Sequence, residues 1–462
     1  MLVPGVAAGH PATVDAGIEI LEAGGTAADA AVAACLASCV AETMMTGLLG
    51  GGHAIYWDAG AGRARNLDCF VAVPGLGAPA REPDLIRLEV PFGAELVHYA
   101  VGAASCAVPG LPAGLDALWR AHGRLPWPRL VEPALRVVRD GAVLPPAHAA
   151  CLAMLEPVMT MNEGARIYAP AGRLLESGDV VWQPGMSTAL ELLAEEGAGA
   201  AYTGSIAGRL LELVDERGGL VTGRDLLAFE ARWSEPVEVA YRGFRFLTRA
   251  DLSGVPELLP RLPVLRGLDG AGRVRALVGA LAGGVAGSGT TNLVVADPEG
   301  NACVLTSSLG LGSGDWLPGL DLHLNSMLGE VDLLRGDTAP GERMSSMMAP
   351  SLALDRDGRP ALGLGAAGGT RLRTALVGVA AGILDEGLEP GPAIERPRFH
   401  PAGRTINAEP GVDEDGLAGL ESEGWSVRRW PAQHHYFGGV SALTPFGGSG
   451  DPRRSGSARL LA

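Results

Sequence analysis

The sequence predicts an α+β protein in which helices lie outside two packed antiparallel sheets, a four-layer αββα sandwich. Three observations carry this. Residues from Ala27 to about Met44 are mostly alanine, valine, leucine and cysteine, and a helix apolar on every side belongs between layers. Two further stretches alternate apolar residues about a tight turn. In the first, Leu293, Val295, Cys303 and Leu305 flank Asp297-Pro-Glu-Gly-Asn301; in the second, Ser351 to Gly365 turns at Asp355-Arg-Asp-Gly358. Length permits two or three domains or one large sandwich, and with 47% hydrophobic residues in 462 the chain can bury a large core.

Taken in order, Thr13 to Glu22 reads as a helix with Val14, Ile18 and Leu21 on one face, stopped by Gly24-Gly25. Thr26 caps the next helix, with Asp29 completing a capping-box variant. Gly50-Gly-Gly52 leads into a strand at His53–Trp57. It lacks the order strand, glycine loop, helix of a phosphate cradle, so close backbone packing is its reading. Asn66–Val73 reads as a strand, residues 106–119 as strand end, turn and helix, and Trp127–Asp140 as an amphipathic helix. Helices continue to about Arg217, and Tyr241–Thr248 reads as one strand. Residues 249–289 show little period and read as a linker. After the hairpin that starts at Thr290 come two glycine-rich loops. Gly368-Gly369-Thr370 then opens a helix with Leu372, Leu376, Val379 and Ile383 on its buried face, and Val440–Leu443 is a strand.

The formal charge is −16, which argues against a nucleic-acid surface. All 36 basic residues are arginine. With no lysine, phosphate-loop, Schiff-base and serine-lysine chemistries are excluded. Six scattered cysteines without a C-x-x-C pair read as core thiols of a reducing compartment. The first residues lack a secretory pattern and no stretch is long and charge-free enough to span a bilayer, so the cytoplasm is the expected location, with no membrane partner. Nine dispersed histidines, with His434 and His435 adjacent and expected on opposite faces of a strand, suggest neither a metal site nor a cofactor.

Thr290 draws attention because it stands at the head of a buried strand behind a flexible glycine. If the chain is cut between Gly289 and Thr290, that residue carries both a nucleophilic Oγ and an α-amine of pKa about 7.7–8.0. Nucleophile and general base then belong to one residue. Gly368 and Gly369 at a helix start offer unhindered N–H groups at the positive end of the dipole, which suits an oxyanion.

Ordered matches along nearly the whole chain resemble the γ-glutamyltranspeptidases, N-terminal-nucleophile hydrolases that cut themselves into two subunits. They include Gly24–Ala33, Gly50–Gly52, Pro109–Gly114, Val131–Gly141, Tyr202–Ala207, Gly219–Leu226, Tyr241–Gly243, Thr290-Thr291, Leu324–Met327, Ser345-Ser346, Gly368–Arg371 and Arg396–His400. The resemblance implies the N-terminal nucleophile hydrolase fold, a large subunit of residues 1–289 and a small one of 290–462, interleaved in one globule. It leaves a homodimer of the processed unit open. It also implies Thr290 as nucleophile, Ser308 as the hydroxyl beside it, Gly368 and Gly369 as the oxyanion hole, and Ser345 and Ser346 as binders of a small substrate's carboxylate.

The departures lie in recognition. Where the family has an arginine that grips the substrate α-carboxylate, Asp68-Cys69 is followed by Phe70. At the amine-binding positions Gly310 replaces an asparagine and Ser326 a glutamine. Gly329 lies where an aspartate is expected, unless a one-residue shift brings in Glu330. Residues 249–289 are also far shorter than the family's segment. The expected function is therefore an autoprocessing γ-glutamyltranspeptidase-like hydrolase or acyltransferase acting on a non-standard substrate. The alternatives are an acylase or C–C bond hydrolase of a lincosamide- or pyrrolobenzodiazepine-type antibiotic pathway, or an unprocessed homologue that only binds.

Overall fold

A computed structural model describes residues 1–79, 82–92, 95–282, 290–330, 333, 338–369 and 371–462. Two antiparallel sheets form its centre. The seven-stranded sheet runs Ser457–Leu460, Gly5–Ala8, Thr291–Ala296, Ala302–Ser308, Gly51–Asp58, Arg63–Cys69, Arg232–Ser234. The six-stranded sheet runs Gly447–Gly450, Gly439–Thr444, Pro360–Ala367, Ser351–Leu354, Phe244–Thr248, Val237–Tyr241.

Alternation along each strand divides the core into layers. Val294, Ala296 and Val304 pack with Leu352, Leu354 and Leu443 between the sheets. Their neighbours Leu293, Val295, Cys303 and Leu305 face the other way, onto Ala27–Ala41, Pro11–Glu22 and Trp127–Asp140. On the far side, Ala353, Leu362 and Leu364 meet Arg371–Leu384, Gly270–Leu281 and Glu414–Ser422. The result is the αββα sandwich the sequence predicts. Strands from before and after residue 290 are interleaved in its larger sheet.

All fifteen residues of Ala27–Ala41 are buried, and the helix ends at Ala41 rather than Met44. Its start is secured twice: Thr26 and Asp29 close the capping box, and Asp297 from the hairpin turn accepts from Ala27 N at 2.8 Å. All six cysteines are buried and free. No helix among the described residues is long and apolar enough to cross a membrane.

Other readings are corrected. Tyr241–Thr248 is not one strand: Arg242 (φ 52°) and Gly243 (φ 86°) form a two-residue turn between Val237–Tyr241 and Phe244–Thr248. The described part of 249–289 is no linker, since it holds helices at Val255–Leu258 and Gly270–Leu281. The strand read at Asn66–Val73 is Arg63–Cys69, with Ala72 making only an isolated bridge. His434 and His435 lie at a short 3₁₀ turn, their rings 4.1 Å apart, and not on a strand.

The Gly50–Gly52 run is close packing, as read. A Cβ at Gly50 would lie 2.2 Å from the Ser308 carbonyl oxygen, and one at Gly52 would lie 2.5 Å from that of Thr306. Gly50→Ala must therefore move backbone, and an overpacking loss of about 1–3 kcal/mol is expected in denaturant unfolding. A loss below about 0.5 kcal/mol would show that the strand end at Ser308 yields freely.

Candidate active site

Thr291 pairs with Ser307, which sets Thr290 at the strand head opposite Ser308. Parity then splits the two threonines. Thr291 faces the helical layer, where its Oγ1 donates to the carboxyl of Glu42. Thr290 shares the side of Asn292, whose Nδ2 donates to Gly439 O and whose Oδ1 accepts from Ser441 N across the sandwich. Thr290 is 5% exposed.

In front of it lies a narrow pocket. Its polar lining is Thr290, Ser308, Glu330, Ser346 and Gly369; its apolar lining is Phe70, Met327, Leu333, Met347, Met348 and Leu372. Residues from five separated stretches, predicted from motifs that are individually unremarkable, thus meet in one place. A wider surface groove lined by His10, Asp15, Glu19 and Arg136 contains none of them.

Each remaining predicted residue has a definite place. Gly310 and Ser326 do not line the pocket but stand at its edge: the Gly310 N–H donates to Ser308 Oγ at 3.0 Å, and Ser326 Oγ accepts from Leu311 N at 3.0 Å. A Cβ on Gly310 would fall 2.6 Å from both Glu330 Oε1 and Ser326 Oγ, so the missing side chain makes room for that acid. Gly329 has no space for a side chain, because a Cβ there would lie 1.6 Å from Ala100 O. The carboxyl reaches the pocket from the next residue, Glu330, by the one-residue shift considered above. Ser345 is half-buried and outside the lining. Gly368 (φ 129°) lies just behind Gly369 (φ 59°); their carbonyls accept from Arg371 N and Leu372 N, so the helix runs away from the pocket and its N-terminal end faces it. Gly289 and Thr370 lie outside the described residues.

The environment of Phe70 accounts for the lack of a cation among the described lining residues. Its ring stacks on His53 at 5.5 Å. Burial, with Arg249 and Arg343 nearby, holds that imidazole well below its usual range, hence neutral. These two guanidiniums are engaged by acids, Arg343 by Asp68 and Arg249 by Asp251, and by backbone carbonyls. Arg343 donates to Phe70 O at 2.9 Å, and Arg249 donates to Ser346 O and Met348 O at 3.2 Å each. Asp251 completes the support by accepting from Ser346 N at 2.7 Å.

Sequence reasoning missed Arg249 and Asp251, which fix the serine loop, because they fall in the stretch read as a linker. It also missed Glu42, a charge directly following fifteen buried helical residues. A lone acid at the end of such a run is a signal that could have found it.

The family model for gamma-glutamyltranspeptidase matches residues 13–277 and 278–461. The Acylase ACY 1 proenzyme of Pseudomonas sp. (strain SE83) is 28% identical over 506 aligned residues, covering 95% of this chain and 89% of that protein. The glutathione hydrolase proenzyme of Escherichia coli (strain K12) is 26% identical, over 91% and 86% of the two chains. Two solved structures share the fold. The cephalosporin acylase from Bacillus halodurans superposes with TM-score 0.83 at 23% identity, covering 100% of this chain and 96% of that one. LmbA2991HD does so with TM-score 0.82 at 22% identity, covering 100% and 98%.

Proposed function

The chain belongs to the γ-glutamyltranspeptidase family, a family of hydrolases and transferases, and from that premise we propose that it cleaves itself before Thr290 and uses the new N-terminal threonine on an amide without an α-carboxylate. One observation carries the reading: the pocket that unites Thr290, Ser308 and Gly369 is closed by Phe70 and methionines, and among the described residues no cation lines it.

Thr290 Oγ attacks the amide carbonyl while the α-amine takes its proton, and the oxyanion is held at the Gly368-Gly369 helix end. The C–N bond then breaks, with the proton passing to the departing amine, and leaves an ester on Thr290. Water, or an amine in transfer, attacks that ester; the C–Oγ bond breaks and Oγ recovers a proton. Ser308 orients Oγ. Glu330, at the edge opened by Gly310 and Ser326, receives an amino group of the substrate. Ser345 and Ser346 keep the loop but lack the guanidinium with which the family grips a carboxylate. The acyl group favoured by this lining is apolar and amine-bearing.

After cleavage, residues 1–289 and 290–462 form a large and a small subunit. Gly5–Ala8 stays paired with Thr291–Ala296, and Gly51–Asp58 with Ala302–Ser308, so the subunits remain together.

The test is a comparison of anilides by kcat/KM. An apolar amine-bearing acyl anilide is expected to exceed the γ-glutamyl anilide by about 10- to 100-fold, the worth of one charge-assisted pair of about 1.5–3 kcal/mol. A γ-glutamyl anilide that is the better substrate would overturn this reading. The same lining, without a cation among the described residues, also favours a second reading, hydrolysis of a C–C bond next to a carbonyl in antibiotic biosynthesis. Turnover of a β-diketone with none of any anilide would select it.

A further inference from the structure

Glu42 ends the long buried helix, its N–H closing the last turn on Ser38 O, and is 1% exposed. Its carboxyl accepts from Thr13 Oγ1 at 2.7 Å and from Thr291 Oγ1. A Cβ at Gly9 would lie 2.5 Å from Glu42 Oε2 and 2.9 Å from Thr291 Oγ1, so the pair is boxed in. Behind the nucleophile, a second, narrow cavity is lined by Glu42, Thr290 and Thr291 together with His148, Asp451 and Arg454. A buried acid therefore touches the residue next to Thr290 and shares a cavity with it, on the side away from the acyl pocket.

Resting on the reading of Thr290 as an N-terminal nucleophile, we propose that Glu42 is a positioning residue that sets the base strength of the Thr290 α-amine across this rear cavity. The charged groups facing it are few. Arg454 donates to Met45 Sδ at 2.9 Å and has Arg371 as a charged neighbour. Asp451 is engaged by Arg398 and Arg453. From the helix Pro146–Met159 come His148, pulled down to about 3 by burial, and Cys151, pushed up to about 11 by burial. His10 and His435, likewise lowered by burial, complete the set.

Burial pushes the Glu42 carboxyl up to about 7, while the Thr291 and Thr13 hydroxyls and Arg454 pull the other way. Above that pH it is a carboxylate, and a nearby carboxylate favours the ammonium form of an amine. The amine becomes a stronger base toward Oγ and loses its proton at a higher pH.

The chain has no lysine, so a fragment of residues 290–462 carries one amine, that of Thr290. Competitive labelling with acetic anhydride across pH, read from the mass of that fragment, titrates this group alone. In processed Glu42→Gln the apparent pKa is expected to fall by about one unit or more. A merely structural role would change yield or rate and leave the midpoint in place, and an unmoved midpoint overturns the proposal. If Glu42→Gln fails to mature, Thr13→Val decides. Losing a donor to the carboxylate delays its ionisation, so the amine midpoint falls by a smaller step, and no shift again overturns the proposal. A wild-type chain that yields no fragment starting at Thr290 defeats the parent reading instead, a result distinct from either.

Discussion

Thr290→Ala is expected to remain one chain of 47.3 kDa under denaturing conditions, while the wild type separates into two fragments, the smaller beginning at Thr290. The argument is chemical. Autocleavage needs an oxygen on residue 290 to attack the preceding carbonyl, form an ester with release of the amine, and then yield to water. Alanine has none. Turnover of any substrate by the variant should fall on the order of 10⁶-fold, the scale seen when a covalent nucleophile is removed. Thr290→Ser keeps the oxygen and is expected to mature, more slowly, because the lost methyl frees the χ1 rotation that a β-branched residue restricts. Mass spectrometry after prolonged incubation decides. Cleavage of the alanine variant at the same bond would remove Thr290 from the mechanism, and a wild-type chain that stays whole would leave only a binding role.

How much of this was legible before the fold depended on how local the cause is. The capping box at Thr26 and Asp29 spans three residues, and the hairpin around Asp297–Asn301 spans one turn, so both follow from neighbours in sequence. Ser308, which the family resemblance implies, falls opposite Thr290 in the observed hairpin register. The turn at Arg242-Gly243 was hidden because one arginine adopting φ 52° leaves no compositional trace. The helix Gly270–Leu281 was hidden for another reason: it is held from outside, by Arg273 pairing with Glu386 and by packing on Glu414–Ser422. Glu330 rather than Gly329 could be chosen only once Ala100 was seen to fill the space beside Gly329. Motifs bring the site's residues into view, whereas long-range packing determines which face the pocket.

The second large effect is on stability. Arg453→Met is expected to cost about 3–5 kcal/mol, because it strands a buried acid. The Arg453 and Glu409 side chains are both 0% exposed. Arg453 Nε donates to Glu409 Oε1 at 2.7 Å, Nη1 donates to Ile394 O at 2.9 Å, and Nη2 donates to Arg396 O at 3.0 Å. Glu409 also accepts from Arg398 N at 2.8 Å, and Asp451 accepts from Val440 N at 3.0 Å. The cluster ties the chain's last turn to the smaller sheet, and so places Arg454 beside the rear cavity. Removing the arginine alone leaves Glu409 uncompensated in low dielectric. Removing both charges, as Arg453→Met with Glu409→Leu, takes away the orphan and should recover much of the loss. Denaturant unfolding of the uncleaved Thr290→Ala chain, where both states are one polypeptide, measures the cycle. A single variant that loses less than about 1 kcal/mol would rank this cluster with surface ion pairs. Equal losses in single and double variants would place the stability in the backbone contacts of Arg453 and not in its charge.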